Sequence, residues 1–240
     1  MSNALSTTNF PNGVSNVDRN QMFGLLKEQA PETYYDFKYE MDKYATSDWI
    51  ITKTEAGSGS AAIGMLSEFG GVLQITNDNA DNDNCFFQYA GGAASALETF
   101  KFFSGKQTFF EIRCKLSDVI QSDFFAGLQI TDTTPLSVSD GVYFIKNDGA
   151  ATVDLVVVKN GTATTTSGIT TMTNSVYVRL GYYYDGVDQI RYYVDGLCLG
   201  ASAITNLPDD EELTISFGIQ NGEAAAKSLF IDYITAKGER

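Results

Sequence analysis

At 240 residues, 43% hydrophobic and 19% charged, the chain has the composition of a globular protein able to bury a sizeable core, which excludes disorder for the bulk of it. A formal net charge of -14 repels phosphate backbones and anionic lipid head groups, so neither nucleic acid nor membrane is expected as a partner. The absence of histidine removes imidazole metal ligands and every Ser-His or Cys-His nucleophile.

Residues 1–33 are rich in Ser, Thr, Asn and Gly, include Pro11 and Pro31, and hold one short apolar cluster, Met22-Phe23-Gly24-Leu25-Leu26. That segment cannot bury enough to fold alone. It reads either as a disordered leader or as an extended N-terminal arm that orders on a partner. It lacks a basic start followed by an apolar run, and no stretch of the chain reaches the ~18 consecutive apolar residues of a spanning helix. Synthesis in a reducing cytoplasm is therefore expected. Cys85, Cys114 and Cys198, odd in number and widely spaced, read as buried thiols.

From Tyr34 onward the pattern changes. Tyr, Phe and Trp alternate with polar residues through YYDFKYEMDKYATSDWIITK, as in half-buried strands, so a β domain is expected over residues 34–240. Gly71–Thr76 and Cys85–Tyr89 read as two further strands, separated by the turn-forming tract NDNADNDN. ETFKFFSGKQTFFEIRCKLSD reads as two strands broken at Ser104-Gly105. In the second, Phe110, Ile112, Cys114 and Leu116 share one face and Glu111, Arg113 and Lys115 the other, predicting one packed and one wet face. Seven or eight more short strands follow. Turn signals at Asn147-Asp148-Gly149, Asn160-Gly161, Asp185-Gly186, Asp195-Gly196 and Asn221-Gly222 punctuate them. This is the grammar of an all-β, antiparallel β-sandwich. Helix is expected only as a turn near Gln21–Gln29 and another near Pro208–Glu212.

Three runs in the C-terminal half carry a family resemblance: VYVRLGYYYDG with QIRYYVDGLCLG, then ELTISFGIQNG, then SLFIDYITAKG. Their Tyr193-Val194-Asp195-Gly196 hairpin, Gln220-Asn221-Gly222 strand end and closing Phe230-Ile231-Asp232-Tyr233-Ile234 strand resemble the concanavalin A-like lectin and glucanase jelly roll. The resemblance implies the fold and settles no activity. A polar leader starting Asn9-Phe10-Pro11-Asn12-Gly13 before a compact acidic jelly roll also resembles, in layout, the capsid decoration (cement) and minor head proteins of tailed bacteriophages.

Candidate sites follow from these readings. A retaining glucanase of this fold sets carboxylates about 5 Å apart on one strand with Glu-x-Asp-x-x-Glu spacing. The chain has no such run, and Glu111 has Arg113 and Lys115 for neighbours, which reads as a solvated face with local charge pairing. In the Asx-rich tract, Asp78, Asp81 and Asp83 either supply oxygen ligands to Ca²⁺ or form turns with the local backbone; no other cofactor is expected. Tyr182, Tyr184 and Tyr192 lie on adjacent predicted strands and either stack on a glycan or a partner protein, or belong to the core with cross-strand pairing. Trp49 reads as a core anchor. Asp209-Asp210-Glu211-Glu212 reads as a solvated loop or as a contact with a basic patch on another subunit.

Taken with the phage resemblance, the expected function is that of a non-enzymatic virion structural protein. It would be made in the host cytoplasm and placed on the capsid outer surface, where it binds the major capsid protein and self-associates as a trimer or dimer. Phe10, Met22, Phe23, Leu25 and Leu26 are the expected anchors of its arm. The second reading is a lectin-like, carbohydrate-binding module for surface glycans.

Overall fold

The structure, a computed structural model, describes residues 34–56 and 59–240. Its strands are β1 (Tyr34–Glu40), β2 (Trp49–Thr54), β3 (Ala62–Leu66), β4 (Val72–Thr76), β5 (Asn84–Tyr89), β6 (Thr108–Leu116), β7 (Ser122–Gln129) and β8 (Gly141–Lys146). They continue with β9 (Thr152–Lys159), β10 (Thr162–Thr171), β11 (Val178–Tyr184), β12 (Gln189–Val194), β13 (Leu197–Ala203), β14 (Thr214–Asn221) and β15 (Ser228–Glu239). One sheet runs β13-β12-β11-β6-β15-β4-β3, with β1 also paired to β15; the other runs β10-β9-β8-β7-β14-β5-β2. The pairings within both are antiparallel.

The turn chemistry explains the hairpins. Asn160-Gly161 has φ of 49° and 75°, and Asp195-Gly196 has φ of 50° and 83°. Two successive positive-φ residues match the right-handed twist of the strands they join, and the pairs link β9 to β10 and β12 to β13.

The core between the sheets follows the sequence alternation. Phe110, Ile112, Cys114 and Leu116 of β6 are fully buried, facing Phe124, Ala126 and Leu128 of β7 and Val142 and Phe144 of β8 across the sandwich. Trp49 anchors one end, meeting Tyr39, Phe87, Tyr89 and Phe217 edge to face at centroid distances of 5.3, 6.0, 5.5 and 5.0 Å.

Several expectations change. Residues 98–103 form no strand; they carry only a single bridge, Phe100 to Leu213, because Phe100 and Phe102 both turn inward as plugs instead of alternating along a ladder. No helix forms at Pro208–Glu212. Its carboxylates are drawn instead to lysines on other segments, Asp210 to Lys159 at 3.1 Å and Glu212 to Lys101 at 2.9 Å, with Asp209 also on Lys159. The short 3-10 turns lie at Thr46–Asp48 and Pro135–Ser137. Cys85 and Cys114 are buried thiols as expected, but Cys198 is exposed, next to a bulge in the β12–β13 register. Among the described residues no helix is long and apolar enough to cross a membrane.

Candidate functional site

The arm residues Phe10, Met22, Phe23, Leu25 and Leu26, and the turn expected near Gln21–Gln29, lie outside the described residues. The other predicted positions can be located. Tyr182 is fully buried and Tyr184 is nearly so, both in the core between the sheets, so neither stacks on a ligand. Tyr182 stacks on Phe110 and donates its hydroxyl to the Val142 carbonyl at 3.0 Å. Tyr192 is half-buried, packed on the core, with its ring against the backbone of Gly200. Val178 and Leu180 fix the inward parity of β11, and that was the signal in the sequence: Tyr183 is the one that turns outward, to pair with Phe109 at 4.4 Å.

The Asx-rich tract is a locked turn. Asp83 is buried, and its two carboxylate oxygens accept the Ala56 and Ala80 N–H groups at 2.7 and 3.0 Å. Asn77 donates to the Asp83 carbonyl at 2.8 Å, and Asn221 reaches across from β14 to the Asp78 and Ala80 carbonyls at 2.6 and 2.9 Å. With Asp83 spent on backbone and Asp81 exposed, Asp78, Asp81 and Asp83 do not converge. Among the described residues no three acidic or cysteine side chains come together as a metal site.

The outward face of the eight-stranded sheet is drier than its charges suggest. Glu111 is buried and accepts the Tyr233 hydroxyl at 2.7 Å, which corrects the solvated reading. Burial pushes its carboxyl up, against the opposing pull of that hydrogen bond and of Arg179. Tyr34, Phe109, Tyr183 and Tyr193 form an aromatic cluster on the same face. Arg113 pairs with Asp232 and lies over the Tyr177 ring at 4.2 Å, so this charge pairing is structural.

The seven-stranded sheet presents a different outward face. Its central rows run Phe86–Gly218–Phe125–Ile145 and Gln88–Ser216–Gly127–Tyr143–Val156. Glycine is required at position 218: the Phe86 and Phe125 rings meet over it at 5.4 Å, and a Cβ there would fall 2.6 Å from Phe86 Cδ1. Phe86, Phe125, Tyr143, Val156 and Val158 are buried although they point away from the main core. The segment Ile130–Asp140 covers them, laying Leu136 and Val138 on the cluster. Burial alone pushes the Tyr143 phenol up to about 12.

Two amides strap this segment down. Gln88 donates to the Ile130 carbonyl at 3.1 Å and accepts the Asp132 N–H at 3.2 Å; Gln129 donates to the Pro135 carbonyl at 2.9 Å. The Gln129 Oε1 is buried without a partner among the described residues. Where the strap leaves β7, between it and the edge strand β2, a cavity of about 370 Å³ opens, lined by Ile50, Thr52, Gln88, Thr131, Asp132 and Thr133. Asp132 holds its own loop through Oδ1, which accepts the Thr134 N–H at 2.6 Å and its hydroxyl at 2.7 Å, while Oδ2 makes no hydrogen bond among the described residues. The Thr52, Thr131 and Thr133 hydroxyls make no hydrogen bond among the described residues. Donors and acceptors without a cation, beside one apolar wall, form a lining that matches a neutral polyol.

No protein-family profile matches the chain, and no curated protein matches it. The fold is that of the concanavalin A-like jelly rolls. A protein of unknown function from Shewanella oneidensis superposes with a TM-score of 0.59 at 16% identity, covering 90% of this chain and 91% of that one. A non-specific endo-β-1,3(4)-glucanase of family GH16 superposes at 0.58 and 13% identity, covering 89% and 94%. The β-glucanase of Bacillus licheniformis does so at 0.57 and 12%, covering 84% and 97%. At these identities the likeness establishes the fold alone. It nevertheless corrects the expectation of a non-enzymatic protein: glycoside hydrolases recur among the similar structures, so the architecture gives no ground for excluding catalysis on a glycan. The capsid-decoration reading draws no support from these likenesses.

Proposed function

We propose that the protein recognises carbohydrate, and that the sugar enters the cavity between β2 and the strap on the outward face of the seven-stranded sheet. The carrying observation is the lining: three threonine hydroxyls, the Asp132 carboxylate and the Gln88 amide around one isoleucine, with no lysine or arginine. Pyranose hydroxyls both donate and accept, so they are matched by hydroxyl, carboxylate and amide groups held at fixed positions, and Gln88 fixes these by tying loop to sheet. The similarity of the fold to glucanases supports the same reading.

The test is binding of neutral glucan oligosaccharides by calorimetry, with Thr52→Arg and Asp132→Ala variants. Thr52 is a half-buried edge-strand residue, so a long cationic side chain fills the cavity while the core stays intact. Each variant is expected to weaken binding at least about tenfold, which is ~1.4 kcal/mol. Binding of undiminished strength in both variants would place the sugar elsewhere, and silence toward all neutral glycans would end the reading.

A further inference from the structure

A second cavity, of about 260 Å³, lies where residues 98–103 pass the ends of β1 and β15, lined among others by Tyr35, Glu98, Thr99, Lys101, Phe103 and Arg240. Its chemistry differs from the first. Phe103 is 45% exposed although its neighbours Phe100 and Phe102 are buried. The ring is held out by a tight turn: Lys106 N–H bonds the Phe103 carbonyl at 3.1 Å, and Gly105 at φ 82° completes the reversal. The Lys106 and Lys101 ammonium groups lie over the ring, 5.3 and 5.9 Å from its centroid. Tyr35 forms another part of the lining, its hydroxyl accepting from Thr99 at 3.3 Å. A fixed, half-exposed aromatic ring has a large, rigid contact area and loses little entropy on binding.

The two cavities have no lining residue in common but are joined by a hydrogen bond. Glu98, which lines the second, accepts the N–H of Thr131, which lines the first, at 2.7 Å. We infer that they are consecutive subsites for one chain-like ligand, an oligosaccharide. In this arrangement hydroxyl groups of one unit are held at Thr52, Thr131 and Asp132, and a further unit packs against the exposed part of the Phe103 ring, its hydroxyls beside the Lys101 and Lys106 ammonium groups. The inference rests on the carbohydrate reading above and adds a length requirement to it. A second contact on a tethered unit acts at high effective concentration, so affinity rises steeply once the ligand spans both cavities.

The experiment compares the full chain with Phe103→Ala, and with Phe103→Tyr as the conservative control, against a series of β-linked glucose oligosaccharides from one to six units. The side chain is exposed and outside both cores, and thermal melting of each variant establishes that the fold is kept. The expected result is affinity for wild type that climbs at least about tenfold over the series. Phe103→Ala should flatten the climb while leaving the shortest ligand that binds unaffected, and Phe103→Tyr should restore it. Oligosaccharides bound with no dependence on length, or with a length dependence that Phe103→Ala leaves untouched, would overturn the second subsite while sparing the first. If no oligosaccharide of any length binds, both fall.

Discussion

Replacing Lys146 with methionine tests how this sandwich tolerates a charge in its interior. Lys146 sits on β8 in phase with Val142 and Phe144, so its stem points inward, and it is fully buried. Its ammonium donates to the carbonyls of Val119 at 2.6 Å and of Asn147 and Ala150 at 3.2 Å each, and also to Ser122. Methionine keeps the unbranched shape and removes every donor. Each orphaned buried acceptor costs about 1–3 kcal/mol, offset by no longer desolvating an ammonium, so a net loss of about 3–5 kcal/mol is expected. The pH dependence supplies a sharper signature. Burial pushes the Lys146 ammonium down to about 8, against the pull of Asp123, Asp148 and Asp118. Between that value and the ordinary 10.5 the unfolded chain holds a proton that the folded chain has released. Stability contributed by Lys146 therefore rises with pH across this window, by up to about 3 kcal/mol. The wild-type advantage over Lys146→Met should then widen between pH 8 and 10.5. Denaturant titrations at several pH values, followed by the fluorescence of the single tryptophan, Trp49, measure this directly. A difference under about 1 kcal/mol at neutral pH, or one that narrows as pH rises, would refute the reasoning.

Three further outcomes are expected. Burial pushes the Cys85 and Cys114 thiols up to about 12, above the ordinary 9.0, so their contribution is present below pH 9 and lost as pH rises toward 12. Each should cost about 2 kcal/mol by about pH 10.5, and Cys114→Val should remove its share of the alkaline fall in melting temperature. Gly218→Ala should lower stability by about 1–3 kcal/mol in chemical denaturation, because its methyl would fall within 2.6–2.9 Å of Phe86, the Cys85 carbonyl and Phe125. The Glu111 carboxyl is held above its ordinary range chiefly by burial, so the folded state is penalised once pH passes the ordinary glutamate value. Glu111→Gln should accordingly melt higher than wild type at pH 7, with the gain vanishing near about pH 3.

Local rules made much of the fold legible. The alternation in β6 identified its four core residues, and Asn160-Gly161 and Asp195-Gly196 marked hairpins whose φ values are positive at both positions. Legibility failed where side chains serve distant partners. Residues 98–103 have the composition of a strand, yet Phe100 and Phe102 are used as plugs that meet Leu213 and Tyr184 in distant parts of the sequence. The small-residue stretch containing β3 offered no alternation to read. Among the tyrosines, Leu180 and Arg179 already held the parity that sends Tyr182 inward. The first cavity was illegible for a different reason: Thr52 and Asp132 meet only because β5, carrying Gln88, pairs with β2 and holds the strap, a long-range relation that no local pattern encodes.

That relation also explains why the proposed site lies at the sheet edge rather than over its centre. The middle of the outward face is the more apolar, with Phe86, Phe125, Tyr143 and the β9 valines in adjoining rows. Left open, it would expose a contiguous hydrophobic patch, and the strap closes it with Leu136 and Val138. Covering the face in this way costs backbone polar groups that must find partners, and outward-facing glutamines meet that cost at the two points where the strap touches the sheet. The strap's polar residues, Thr131, Asp132 and Thr133, are thereby turned toward β2, where the sheet ends and a cavity remains. Glu98 then fixes Thr131 from the other side. The groups available to a ligand are those left over once the apolar face has been sealed, and the seal determines their positions.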